Sequence, residues 1–328
     1  MTRLTITISP HIHDRSKTSR IMLDVIIALI PALIAAVVFF GPRALLLAAV
    51  IISSSVLFEL IFRLITKRDI SSIFDLSAVV TGFILALCLP ANTPLLMGIL
   101  ASFIAIVLVK QLFGGLGRNF LNPALIGRIV TMRLIIMFGN ISGYPVAMSW
   151  MESYNFLNLD AVTRATPLRL LAQNFPLPSL GELFIGIHPG TMGETSVLAL
   201  FLGGVYLIYR RVISPVIPLT FIGTTLLIVT IAGHDPLIHL FTGSLVLAAI
   251  FMATDYVTSP VNLKGRVIFG LGCGLITAIV RLFAGPTEGV TFALLAMNIL
   301  TPLIERSTLP KAFGQKYQQV LKTKKSTY

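Results

Sequence analysis

Charge is scarce in this chain. Asp, Glu, Lys and Arg supply only 12% of its 328 residues, against about 25% in an ordinary soluble domain. No polar interval is long enough to build a separate soluble core. Cysteine is nearly absent as well. Cys88 and Cys273 both fall in apolar runs and are too few to hold a four-ligand zinc or an iron–sulfur cluster within this chain, so they read as packing residues. No P-loop, no GxGxxG opening a helix after a strand and no nucleophile elbow is present. His11-Ile12-His13 lies in a polar tail, and His188, His234 and His239 show no ligand spacing. A cleavable signal is not expected: residues 1–20, MTRLTITISPHIHDRSKTSR, are polar, and no small-residue cleavage site follows the first apolar run.

What the chain has in quantity is apolar sequence. Hydrophobic residues make up 55% and the mean hydropathy is +0.92, which places it among integral membrane proteins. A helix needs roughly 20 apolar residues to cross the hydrocarbon layer. On that measure the sequence predicts an all-α polytopic protein with about ten transmembrane helices, over 21–40, 44–65, 76–90, 94–113, 120–138, 195–210, 214–233, 236–254, 265–284 and 287–304. The third and sixth are the shortest.

The net charge of +12 invites a nucleic-acid reading, but the placement of the charges excludes it. Lys and Arg are retained on the cytoplasmic side of membrane proteins. With the N-terminus inside, every basic residue except Arg43, Arg133, Arg164, Arg169 and Arg281 falls on or beside a cytoplasmic segment. The predicted organisation is a cytoplasmic tail (1–20), a first five-helix half (21–138), an external loop (139–194), a second five-helix half (195–304) and a basic cytoplasmic tail (305–328). An odd number of spans per half makes the halves inverted, a plan that puts sites between them at broken helices. Faint internal similarity agrees: Thr81-Gly82 resembles Thr242-Gly243, and Leu112-Phe113-Gly114-Gly115 resembles Leu282-Phe283-Ala284-Gly285.

Ionisable residues inside spans are costly and default to functional candidates. Asp24, Glu59 and Arg281 lie near span ends, where side chains are expected to snorkel to the interface. Arg133 is deeper, and with Arg128 is a candidate to line a polar cavity.

Three polar stretches remain. GGLGRNFLNPALIGR (114–128) has glycines that let the backbone turn sharply and an Asn122-Pro123 step suited to begin or break a helix. MATDYVTSP (252–260) has Thr254-Asp255 as a candidate cap. Both lie at the cytoplasmic face and read as walls of one cofactor or substrate cavity, with Gly115, Asn119, Asn122, Pro123, Arg128, Thr254 and Asp255 as candidate residues. The third stretch, DAVTRATPLRLL (160–171), lies in the external loop. There the proline holds Thr166 extended, and its hydroxyl is expected to be exposed.

These stretches, in this order, resemble the membrane subunits shared by Rnf-type ion-translocating oxidoreductases (their D subunit) and Na⁺-translocating NADH:quinone reductases (their B subunit). The resemblance covers nearly the whole chain, and its short N-terminal tail and length favour the Rnf branch. It implies a covalent FMN held by phosphoester on the threonine ending a Ser-Gly-Ala-Thr motif. That motif falls on Thr163-Arg164-Ala165-Thr166, with Pro167 following, and Thr166 is the implied acceptor. Thr163 replaces serine mildly, whereas Arg164 replaces glycine with a cation that suits a phosphate. Tyr256 stands where the family commonly has proline.

A second, noncovalent riboflavin near 114–128 and 252–260 is also implied by the resemblance. So are partner subunits: an external flavin subunit, intramembrane iron–sulfur subunits and a cytoplasmic module reacting with NAD or ferredoxin. The implied role is electron relay coupled to Na⁺ or H⁺ movement across a bacterial or archaeal cytoplasmic membrane, with no complete activity in the isolated chain and no nucleic acid partner. The residues alone leave two further readings open, a secondary transporter or channel with inverted repeats and a scaffolding membrane subunit.

Overall fold

Along α1 (Thr18–Phe40) the bulky side chains Leu23, Ile27, Ile30, Ile34 and Val38 are exposed, while Ala28, Ala32 and Ala36 are buried. This pattern turns branched residues outward and packs small ones inward, as helices do when the surrounding solvent is lipid. In the computed structural model, which describes residues 18–138, 144–145, 163–164, 166–173, 175–284 and 289–309, four helices are long and apolar enough to cross a membrane. They are Thr18–Phe40, Pro42–Ile65, Leu263–Phe283 and Gly289–Thr308. Shorter apolar helices cover Ser77–Leu87, Leu95–Gln111, Val197–Tyr209 and Val216–Ile231. The chain is a multi-pass membrane protein. Both tails, most of the 139–162 stretch and Ala165 lie outside the described residues.

The elements run α1, α2 (Pro42–Ile65), a 3₁₀ turn (Ile70–Asp75), α3 (Ser77–Leu87), α4 (Leu95–Phe103, continuing as π-helix over Ile104–Gln111) and α5 (Pro123–Phe138). There follow α6 (Pro167–Ala172), α7 (Leu180–Ile185), α8 (Val197–Tyr209), α9 (Val216–Ile231) and α10 (Pro236–Phe241). Last come α11 (Leu245–Leu247, continuing as π-helix over Ala248–Met252), α12 (Leu263–Ile279, continuing as π-helix over Val280–Ala284) and α13 (Gly289–Thr308). Among the described residues the one strand pairing is antiparallel, Tyr144–Pro145 with Thr163–Arg164.

The predicted span over 236–254 is not one helix. It breaks at Thr242, Gly243 and Ser244 between α10 and α11, where Gly243 adopts φ +69°. Small polar residues in an apolar run favour such a break, since a glycine reaches this conformation at no steric cost. The two sequence similarities fare differently. Leu112 directly follows one π segment and Leu282 lies within another, but Thr81-Gly82 is inside α3 whereas Thr242-Gly243 is the break itself.

Close packing fixes the arrangement around that break. A Cβ on Gly203 of α8 would stand 2.1 Å from the Ala28 carbonyl of α1, so this helix pair touches backbone to backbone. The loop from Gly186 to Ser196 passes into the protein and is buried from His188 to Ser196. Its backbone stays satisfied there: Gly193 N donates to the Leu87 carbonyl at 2.7 Å, and Met192 N donates to the Leu89 carbonyl at 3.1 Å. A Cβ on Gly193 would meet Leu87 and Leu247 at 2.8 and 3.0 Å, so the loop is wedged between α3 and α11. Irregular backbone is tolerated in a membrane protein where protein surrounds it.

Candidate functional site

Thr166 precedes α6 with an extended backbone (ψ 154°) that Pro167 enforces. Its carbonyl accepts from Arg169 N and Leu170 N at 2.9 and 3.0 Å, closing the first turn. The expectation of an exposed hydroxyl is not met. Thr166 is only 8% exposed, with Leu168 and the buried 188–196 loop beside it, and Oγ1 has no hydrogen-bond partner among the described residues. With Pro167, Leu168, His188, Pro189, Glu194 and Gly243 it lines a pocket of about 310 Å³, counting its open mouth. A buried hydroxyl left unpaired is costly, and His188 Nε2 and Thr191 Oγ1 of the adjoining loop are in the same position among the described residues. Arg164 belongs to the strand pair just before it.

Behind the pocket lies an ion cluster. Arg128 of α5 donates from Nη2 to Glu194 Oε1 at 3.0 Å and from Nη1 to Ser244 Oγ at 2.6 Å, and the Ser244 hydroxyl donates to Glu194 Oε1. Three segments far apart in sequence meet here. Burial would raise the Glu194 carboxyl, but the Arg128 guanidinium and the Ser244 hydroxyl bring it below the ordinary carboxylate range. Arg281 of α12 does not reach the interface as expected. It is buried, and donates to the carbonyls of His239 and Thr242 at 2.7 and 3.1 Å, so it holds the break between α10 and α11. Arg133 is exposed while Arg128 is buried, so the two share no cavity.

The second cavity is a cleft of about 800 Å³ including its mouth. Its walls include Asn119, Asn122 and Pro123 from one polar stretch, Thr254 and Asp255 from the other, and Lys110. Gly115 and Arg128 do not line it. Gly115 turns at φ +91° beside Arg63 and Gln111, and Arg128 belongs to the cluster behind Thr166. Each polar wall residue is already engaged. Asn122 Oδ1 accepts from Ala124 N at 3.0 Å and caps α5 behind Pro123, while Asn119 Nδ2 donates to the Leu121 carbonyl at 3.1 Å. Asp255 accepts from Val257 N and from the Thr258 hydroxyl, at 3.4 and 3.1 Å. Thr254 is not the cap, since its hydroxyl donates back to the Ile250 carbonyl.

Lys110 ties this cleft to a second ion cluster. Its Nζ donates to Glu59 Oε2 at 2.8 Å and to Ser77 Oγ at 2.7 Å, and Arg63 donates to Glu59 Oε1 from Nη2 at 3.0 Å. Glu59 is fully buried, not at the interface, because cations from its own helix and from the π segment of α4 meet it there. Asp24 is likewise held inside, accepting from the Tyr206 hydroxyl at 2.9 Å and from Arg210 at 3.2 Å. Cys88 and Cys273 are buried and form no disulfide. No metal-ligating cluster occurs among the described residues.

Sequence reasoning missed His188, Glu194 and Ser244. The available signals were a Pro-Gly step after His188 and a lone acid in an uncharged stretch of Gly, Thr and Ser, neither specific by itself.

Comparison with known proteins adds to this geometry. Residues 5–314 match the NQR2, RnfD, RnfE family. The chain is 44% identical to the D subunit of the Na⁺-translocating ferredoxin:NAD⁺ oxidoreductase complex of Acetobacterium woodii, covering 95% of each chain. It is 40% identical to the D subunit of the proton-translocating ferredoxin:NAD⁺ oxidoreductase complex of Clostridium ljungdahlii, covering 94% of this chain and 96% of that one. It is also 34% identical to the D subunit of the ion-translocating oxidoreductase complex of Stutzerimonas stutzeri, covering 92% of this chain and 93% of the other.

Proposed function

The chain belongs to the NQR2, RnfD, RnfE family, and from that premise we propose that it is the D subunit of an ion-translocating ferredoxin:NAD⁺ oxidoreductase complex, carrying FMN in phosphoester linkage on Thr166. The observation that carries the flavin assignment is the Thr166 hydroxyl, buried and without a partner among the described residues at the wall of a pocket. An ester oxygen needs no donor or acceptor of its own, so attachment removes the cost of that orphaned group. Pro167 sets the direction in which the ester leaves the chain, and the wedged 188–196 loop keeps the attachment point at fixed distance from the rest of the protein. The flavin, when bound, supplies the electron-transfer chemistry; the chain supplies position and electrostatics.

Relatives of this chain are named for Na⁺ and for proton translocation, and the same ion classes apply here. Ten spans in two inverted halves are the arrangement that best accounts for the element order. α1–α5 and α8–α13 each include a helix that continues into a π segment before a final regular helix, α4 before α5 and α12 before α13. With that arrangement the 139–194 stretch is external and the large cleft faces the cytoplasm, where it is the site for a noncovalent riboflavin. Electrons would then enter outside and leave inward through partner subunits.

The test is direct. The full chain, produced in a host with its flavin-attaching machinery, is run on a denaturing gel and viewed under ultraviolet light. A fluorescent band that disappears in Thr166→Ala is the expected result. A dark wild-type band rejects the covalent flavin and returns the chain to the transporter or scaffold readings. A band that survives Thr166→Ala moves the attachment elsewhere.

A further inference from the structure

Tyr256 has no part in either flavin assignment, yet it lines the large cleft. Among the described residues two aromatic side chains do so, Phe251 and Tyr256. Phe251 is committed to the interior: it is buried, and its ring tip lies 3.0 Å from where a Cβ on Gly203 of α8 would stand. Tyr256 is 51% exposed, but it is held at both ends. Its backbone lies in the turn after α11 that Ser259 N closes by donating to the Asp255 carbonyl at 3.1 Å. Its hydroxyl donates to the Val212 carbonyl in the loop between α8 and α9. That loop is bent back at Arg211, with φ +56°, and Val212 N donates to the Leu207 carbonyl at 2.9 Å. Leu207, Val212 and Ile213 line the same cleft, so the phenol ring joins two parts of one wall.

Resting on the reading of the cleft as the riboflavin site, we propose that Tyr256 is its specificity-determining residue, the tethered phenol being the platform on which a flat conjugated ring stacks. Aromatic rings in contact gain more than their buried area alone provides. A side chain on an exposed turn ordinarily loses rotamer freedom when a ligand orders it, and that loss weakens binding. Here the bond to Val212 has fixed the ring in advance. The opposite wall comes from α1, where Ile21, Met22 and Val25 offer apolar atoms without polar competition. A guest of similar size but without a conjugated ring, such as an acyl chain or a sugar, gains contact area from Tyr256 and no stacking. The hydroxyl positions and the ring face selects.

The experiment titrates riboflavin into the detergent-solubilised full chain carrying Thr166→Ala, which removes the covalent flavin, after dialysis to release what the cell supplied. Affinity is read from fluorescence anisotropy and contact from the excited-state lifetime, since an electron-rich phenol touching an excited flavin quenches it. Without further change, bound riboflavin is expected to show a short-lived component. Tyr256→Leu is expected to bind about tenfold more weakly, the scale of a lost stacking contact, and to lose that component. Tyr256→Phe keeps the ring and should bind within about threefold, with a longer lifetime because the phenol is gone. Unchanged affinity in Tyr256→Leu overturns the proposal, as does equal weakening in both variants, which marks Tyr256 as a structural strap alone. If Tyr256→Leu does not fold, an unquenched lifetime before Tyr256 is changed overturns it equally. Failure to bind riboflavin at all, or binding that Ile250→Trp leaves intact, rejects the cleft as the riboflavin site and this proposal with it.

Discussion

The small pocket at Thr166 and the large cleft beside Lys110 differ in what their polar atoms are doing. In the cleft the polar wall groups are bonded within the protein: Lys110 to Glu59 and Ser77, Asn122 to the start of α5, Asp255 to its own turn. In the pocket, Thr166 Oγ1 and His188 Nε2 are bonded to nothing among the described residues. A cavity whose polar groups are satisfied offers a shaped, largely apolar surface and suits a flat ring system. One with unsatisfied groups is made for a compact polar guest that completes them. The contrast is what supports the proposal of an attachment point at one cavity and a bound ring at the other.

The sharpest way to break the contrast is to exchange the two losses. Thr166→Ala is expected to abolish covalent flavin completely. Ile250→Trp, which fills the cleft, is expected to keep the fluorescent gel band while releasable flavin, measured in an acid extract, falls severalfold. Equal loss of both flavins in either variant removes the distinction between the cavities.

The ion clusters behind the cavities give the next largest effect. Arg128→Ala leaves the buried Glu194 without its cation, a change that costs about 3–5 kcal/mol. Lys110→Met leaves Glu59 still paired with Arg63, and loses about 1.5–3 kcal/mol for a charged hydrogen bond. Thermal unfolding in detergent should therefore rank Arg128→Ala well below Lys110→Met. The reverse order means that the joint between α5, the 188–196 loop and α11 matters less than its burial suggests.

Gly243→Ala should cost about 1–3 kcal/mol by overpacking. A Cβ there stands 2.8 Å from both Arg281 Nη2 and Leu168 Cδ1, and it narrows the pocket as well. Covalent flavin occupancy, measured as the ratio of flavin to protein absorbance, is expected to fall with it, and an unchanged ratio separates the break from the site.

The smallest effect is with pH. Burial holds His188 below the usual histidine range in the folded chain, so unfolding favours its protonation below about pH 6.5. The unfolded state then binds more protons, so stability falls as pH drops, by at most about 1.4 kcal/mol per pH unit. His188→Gln removes that group and is expected to flatten the slope relative to the wild type. Melting curves at pH 5.5 and 7.5 for the two proteins read the difference.

Much of the architecture was legible because lipid demands long apolar runs, and those runs lie where the helices lie. Asn119, Asn122, Thr254 and Asp255 line one cleft, and the sequence could place them together because its apolar runs put both stretches at one expected membrane face. The break at Thr242 to Ser244 was hidden by an apolar run continuous on either side of it. Glu59 and Arg281 were misjudged for a related reason: position along a helix indicates how far a side chain must reach for water, but not whether another helix brings it a partner first. Glu194 and His188 left almost no local trace. Their chemistry depends on Arg128, Ser244 and Thr166, which only the folded loop brings within reach.

The π segments ending α4 and α12 carry a consequence for insertions and deletions. A π turn accommodates an extra residue within a helix, and here Lys110 and Arg281 each sit inside one. Had either helix stayed regular, residues beyond the widened turn would point around the barrel of the helix by a different amount. Each cation would then be carried away from its oxygens. Removing a single residue upstream of Lys110 is therefore not a local shortening. It changes the winding of the helix and with it the direction in which Lys110 leaves it, although no residue that contacts Glu59 has been changed.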